Sequence, residues 1–195
     1  RLNEALRLIK EEKLISFHMP GHKNGRLLSS YFSDWMGYDL TEIPGADNLH
    51  DPSSIIKETE DKISCYHESI ESHIIVNGST AGLYAAINSI CSPGDELIIS
   101  RESHRSVYSA MMLGGIVGHY IYPDIDERSG SPLPVELSKI KELIAQYPKS
   151  KGVVLTSPNY HGVMCDIREI GEWIDENHKI IIVDEAHGAH LKLHP

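Results

Sequence analysis

GVVLTSPNYHGVMCDIREIGEWIDENHKIIIVDEAHGAH, residues 152–190, decides the fold. It opens on an apolar run, 152–157, with none of the in–out alternation of a half-solvated strand, so both of its faces are covered. A helical segment follows over 167–177. A second apolar run, 179–185, then ends in two carboxylates. Strand, helix and strand in direct succession make a crossover unit joining parallel neighbours.

Outward from this unit the same grammar repeats. ELIIS (96–100) and residues 117–122 read as strands around a helix at 104–114. A helix over 134–147 has Pro134 suited to its first turn, with Leu137, Ile140, Ile144 and Tyr147 facing inward. HIIVN (73–77) reads as one more strand, ahead of a helix over 79–91 whose Leu83, Ala86, Ile87 and Ile90 share a face. Residues 54–70 read as a helix. The fold class is therefore α/β, a mostly parallel sheet with helices on both faces.

The front of the chain differs. Leu2, Leu6 and Ile9 mark a short amphipathic helix within 1–13, followed over 16–53 by irregular chain dense in Gly, Pro, His and Asp. Such a stretch lines a site or an interface, or serves as a surface arm. The expected organisation is an N-terminal helix and arm over 1–53 and a sheet domain over 54–195.

Composition narrows the function. With 41% hydrophobic and 24% charged residues the 195-residue chain is ordinary globular material, and its net charge of −10 repels a phosphate backbone, so nucleic acid is not an expected partner. No run of about 18 apolar residues occurs, which excludes a membrane-spanning helix. Cys65, Cys91 and Cys165 are odd in number and lack a CxxC spacing, as buried, reduced thiols of a cytoplasmic protein would be. The sequence starts without Met and stops at Pro195 just after a motif-rich stretch, which suggests a truncated chain.

In open α/β sheets ligands gather beyond the carboxyl ends of the strands. Four polar segments fall there: Asn77 to Thr80, Ser100 to His104, Thr156 to His161, and Asp184 to His187. In VNGSTAGL, Ser79 and Thr80 sit at a helix N-terminus, where free N–H groups and the helix dipole favour a phosphate. Equally, either hydroxyl could simply cap the helix. The DEAH of 184–187 also resembles a Walker B box, but that chemistry needs a GxxxxGK[ST] loop, which this sequence lacks. A metal site built from His187, His190 and His194 beside Glu185, or from His18 and His22, lacks the cysteines or tighter spacing of a structural zinc site, and none is expected.

Six blocks, FHMPGHKNG (17–25), DLTEIPGADNLHDP (39–52), VNGSTAG (76–82), SHRSVYSA (103–110), TSPNYHGV (156–163) and VDEAHGAH (183–190), occur in this order. Together they resemble the ornithine/lysine/arginine decarboxylases, fold-type I enzymes dependent on pyridoxal 5′-phosphate (PLP), in their compact bacterial form. The resemblance implies that Ser79 and Thr80 bind the cofactor phosphate and that His104 stacks on the pyridine ring. It also implies that Asp184 pairs with the ring nitrogen, with His104 and Asp184 the catalytic pair. Ala186 and His187 would line the underside or edge of the ring.

It further implies a cytoplasmic homo-oligomer that decarboxylates a small basic amino acid (arginine, lysine or ornithine) to a polyamine precursor, with no membrane partner. The loop over 16–53 resembles the segment that helps close the active site and form the dimer. Arg105 stands where the family commonly has lysine. The Schiff-base lysine is expected downstream of the DEAHGAH block; neither Lys192 nor Lys23 fits it, so the 195 residues alone are expected to be inactive. The alternatives are another fold-type I reaction, aminotransferase-like, or a non-catalytic truncated module for binding or dimerisation.

Overall fold

The computed structural model describes residues 2–193 and divides into two compact units, Arg1–Ile75 and Val76–Pro195. The arm expected over 1–53 and the helix after it both fall in the first unit.

The second unit carries the sheet. Strands β1 (Glu96–Ser100), β2 (Val117–Ile121), β3 (Gly152–Thr156) and β4 (Ile180–Asp184) are all parallel, in the order β2-β1-β3-β4. The two middle strands are the most deeply buried for a physical reason. Leu97, Ile98 and Ile99 on β1 and Val153, Val154 and Leu155 on β3 are completely buried, because helices cover both faces and strands flank both edges. Each such side chain contributes about 1.5–3 kcal/mol of burial. At the amino end of β3 a side chain has no room. A Cβ on Gly152 would lie 2.1 Å from the Ile180 carbonyl oxygen.

Two clusters form the core, one on each face. Helices α4 (Gly78–Ile90) and α5 (Arg105–Gly114) bring Leu83, Ile87, Val107, Ala110 and Met111 against Leu97, Ile99 and Val154. On the opposite face α6 (Leu137–Gln146) and α7 (Ile167–Glu176) bring Ile140, Ile144, Ile170 and Ile174 against Ile98, Val153 and Leu155. The α/β class with a parallel sheet and two helical layers is as the sequence predicts. Helix α7 starts at a side-chain N-cap: the Asp166 side chain accepts the Glu169 N–H at 3.0 Å.

Pro134 lies ahead of α6, whose N-cap is Glu136, rather than in its first turn, and two element assignments fail. Residues 73–77 form no strand. A strand exists only through a paired neighbour, and this segment has none among the described residues, with Ile75 and Val76 about half exposed. Its Ile74 N–H instead donates to the buried carboxylate of Glu60, at 2.9 Å. Conversely, the irregular stretch 16–53 contains a helix, Ser30–Met36 (α2), which lacks an amphipathic signature because Tyr31 and Trp35 are both exposed. The first unit otherwise consists of α1 (Leu2–Glu11), α3 (Ile55–His67) and the turns between. No helix among the described residues is long and apolar enough to cross a membrane.

Candidate active site

Strand alternation decides which side chains reach the site. Val154 and Ile182 pack into the cluster beneath α4 and α5. Residues two positions on point the same way, so Thr156 and Asp184 also face α4 and α5. The register pairs Thr156 with Asp184 directly, and both are buried, at 5% and 6% exposure. Two polar groups thus stand side by side at the carboxyl ends of adjacent strands.

They form the floor of a cavity of about 210 Å³ whose wall is Ser79, Thr80, Leu83, His104, Ser106, Tyr160, Ala186 and His187. All six residues expected from the sequence line it. Ser79 and Thr80 lie exposed in the first turn of α4. The position before that helix is Asn77, in left-handed backbone with φ 70°, and it makes no side-chain capping bond. The amides of this helix end are therefore left for an anion, and neither hydroxyl occupies the cap position.

His104 is the N-cap of α5. Its Nδ1 accepts the Ser106 N–H at 3.3 Å and lies 2.8 Å from Ser106 Oγ. An accepting Nδ1 carries no proton, so the hydrogen of the neutral ring is on Nε2. This pinning fixes the plane of the imidazole at the cavity wall. Asp184 Oδ1 accepts the Ala186 N–H at 3.1 Å, which turns the chain sharply after β4 and lays Ala186 and His187 along the rim. The His187 and Tyr160 rings meet at 5.0 Å, tilted by 57°. Gly188 lets this turn approach the neighbouring loop, since a Cβ there would lie 2.7 Å from Pro158 Cδ.

Sequence reasoning assigned no role to Ser106, Thr156 or Tyr160. The signal for Thr156 was available: it ends a buried strand as Asp184 does. Arg105 is exposed and does not line the cavity, and neither do Lys23 and Lys192; no lysine lines it among the described residues. No group of three His, Cys, Asp or Glu side chains among the described residues is arranged to hold a metal ion, and His194 lies outside those residues. Cys65 is exposed rather than buried, because it lies on the outer side of α3, while Cys91 and Cys165 are half-buried. Burial pushes both of the latter thiols up.

The chain is similar to several known proteins. The chain is 43% identical over 185 residues to the uncharacterized protein YaaO of Bacillus subtilis (strain 168), covering 91% of this chain and 38% of that protein. It is 32% identical to an arginine decarboxylase of the same organism, with 92% and 38% covered. The chain thus spans 38% of the length of these relatives. Among solved structures, the constitutive lysine decarboxylase of E. coli superposes with a TM-score of 0.75 at 19% identity, covering 93% of this chain and 28% of that one. Lysine decarboxylase A of Pseudomonas aeruginosa gives 0.71 at 22%, covering 82% and 24%. These likenesses concern the fold alone, an α/β domain with a parallel sheet. The family described as "Orn/Lys/Arg decarboxylase, major domain" matches residues 2–195, and the chain belongs to that family.

Proposed function

We propose that this chain supplies the non-covalent part of a PLP site in a decarboxylase of arginine, lysine or ornithine, whose product is a polyamine precursor. One observation carries the reading. Ser79, Thr80, His104, Asp184, Ala186 and His187, drawn from three separate stretches of sequence, all line one cavity. The donor set fits the cofactor: an uncapped helix end for a phosphate, a pinned planar ring for stacking, and a buried carboxylate for a ring nitrogen.

When bound, the cofactor supplies a cationic ring that draws off the electron pair left as carbon dioxide departs. Asp184 keeps a proton on the ring nitrogen, because its buried charge favours the protonated partner. Ser79, Thr80 and the α4 amides hold the phosphate. His104, fixed through Ser106, holds the ring plane, and Ala186 and His187 limit how it slides. With no lysine on the cavity wall among the described residues, these residues alone bind the cofactor without turning over substrate. The working form is a cytoplasmic homo-oligomer, a reading supported by exposed Phe17, Tyr31 and Trp35, which an assembly would cover.

Borohydride reduction with PLP followed by peptide mapping tests the lysine. Label on Lys23 or Lys192 would refute its absence. Product analysis of the active protein tests the reaction. Carbon dioxide with an amine is expected; a keto acid would move the assignment to transamination.

A further inference from the structure

The first unit holds a cavity of about 180 Å³ whose chemistry differs from that of the site above. Lys10, Lys13 and Arg26 line it with Asn24, over a base of Ile9, Gly37 and Leu40, and no acidic side chain among the described residues joins the wall. Three cations around one cavity run against the composition of a chain whose net charge is −10. Among the described residues none of the three is paired with a carboxylate. Their mutual repulsion is left without a counter-charge, and an anion in the cavity would relieve it.

The packing around the cavity holds these cations in place. The Lys10 ammonium donates to the Asp34 carbonyl oxygen at 2.9 Å and lies 4.3 Å from the centre of the Tyr38 ring, which fixes it at the wall with further protons left for a ligand. Gly37 makes room for that side chain, since a Cβ there would lie 3.0 Å from Lys10 Cε. Gly25, at φ 80°, lets the turn that carries Asn24 and Arg26 close on α2; a Cβ there would lie 2.7 Å from the Ser33 carbonyl oxygen. The Arg26 guanidinium is a planar fork of donors matched to an oxyanion, and the Asn24 carboxamide adds a neutral donor. We propose that this cavity binds a free oxyanion of the size and charge of phosphate, held by Lys10, Lys13 and Arg26. The proposal takes no residue from the cofactor cavity and does not depend on the PLP reading.

The test is a titration of the whole chain with inorganic phosphate, followed by nuclear magnetic resonance at the Asn24 and Leu40 amides, with ionic strength held constant by sodium chloride. These reporters lie in the first unit, so phosphate taken up at the α4 end of the second is not mistaken for it. Saturable shifts at both amides are expected. Lys13 and Arg26 are exposed, so Lys13→Gln and Arg26→Gln should spare the fold. Each should weaken binding by about 2- to 5-fold, the scale of one exposed ion pair, and the two together by about 4- to 25-fold. Gly37→Ala crowds Lys10 without changing any charge and should also weaken binding, whereas Arg26→Lys should retain more affinity than Arg26→Gln. Glycerol phosphate should bind more weakly than inorganic phosphate, because the cavity has little room beyond the oxyanion; equal or tighter binding would overturn the free ion as the occupant. Shifts that fail to saturate, that chloride alone reproduces, or that survive the double variant unchanged would each overturn the site itself. None of these outcomes touches the PLP reading.

Discussion

The loop around Asp47 and the rim around Asp184 each gather backbone about a carboxylate, and they differ in how much of it is left over. Asp47 accepts four backbone N–H groups, from Asn48, Ser53, Ser54 and Ile56, at 2.9–3.1 Å. Desolvation pushes its pKa up, but the four amide bonds together outweigh that and hold the carboxyl well below the usual range. Asp184 is more deeply buried, yet among the described residues it accepts a single amide, that of Ala186. A carboxylate saturated by its own chain is a structural tie. A buried one with lone pairs to spare is a binding group for a cation.

If that contrast is right, Asp184 variants should strike function and Asp47 variants stability. Asp184→Asn keeps the shape and an acceptor for Ala186 while removing the charge. Where the protein turns over, kcat should fall by about 10²–10³-fold, the scale seen when one electrostatic stabiliser is lost. Its melting temperature should change little; a large drop instead would make Asp184 a structural tie as well. Gly188→Ala attacks the rim rather than the charge. The added methyl meets the rigid Pro158 ring, so about 1–3 kcal/mol of stability should be lost, with cofactor affinity, measured by urea melts and by titration. Ser79→Ala and Thr80→Ala should each weaken binding of a phosphorylated probe by about 2- to 10-fold while sparing its dephosphorylated form.

The same contrast explains what could be read from the sequence. The strands at 96–100 and 152–156 were legible because full burial on two faces writes a continuous apolar run, and 180–184 because its Ile180–Val183 run is as apolar although it lies at the sheet edge. The site was legible because polar residues that end such runs must converge on one rim. Residues 73–77 misled because their Ile-Ile-Val run has β propensity, while the partner that would make them a strand is not encoded locally. Asp47 escaped notice for a related reason. Its four donors are spread over nine positions downstream, and only the folded turn, with Asp47 itself at φ 65°, brings them to one carboxylate. Thr156 is silent in the sequence too, since a threonine closing a strand is unremarkable until its hydroxyl is seen to have no partner among the described residues.

Asp47 gives the smallest expected effect on the site and the sharpest check of the contrast. It does not line the cavity, so Asp47→Asn should bind the cofactor as wild type does. Its consequence lies in stability, with a defined pH dependence. The folded carboxyl titrates below its ordinary value of 3.8, so its contribution is fully present above that pH and is lost as pH falls through the folded value. The asparagine variant cannot titrate. Thermal melts followed by circular dichroism should therefore show wild type more stable than the variant near neutrality, with a gap that begins to close as pH drops below 3.8. A gap that persists unchanged to the acid limit would mean that the ionised carboxylate is not what ties this loop to the first turn of α3. The count of local amides would then lose its value as a guide to which of the two acids is functional.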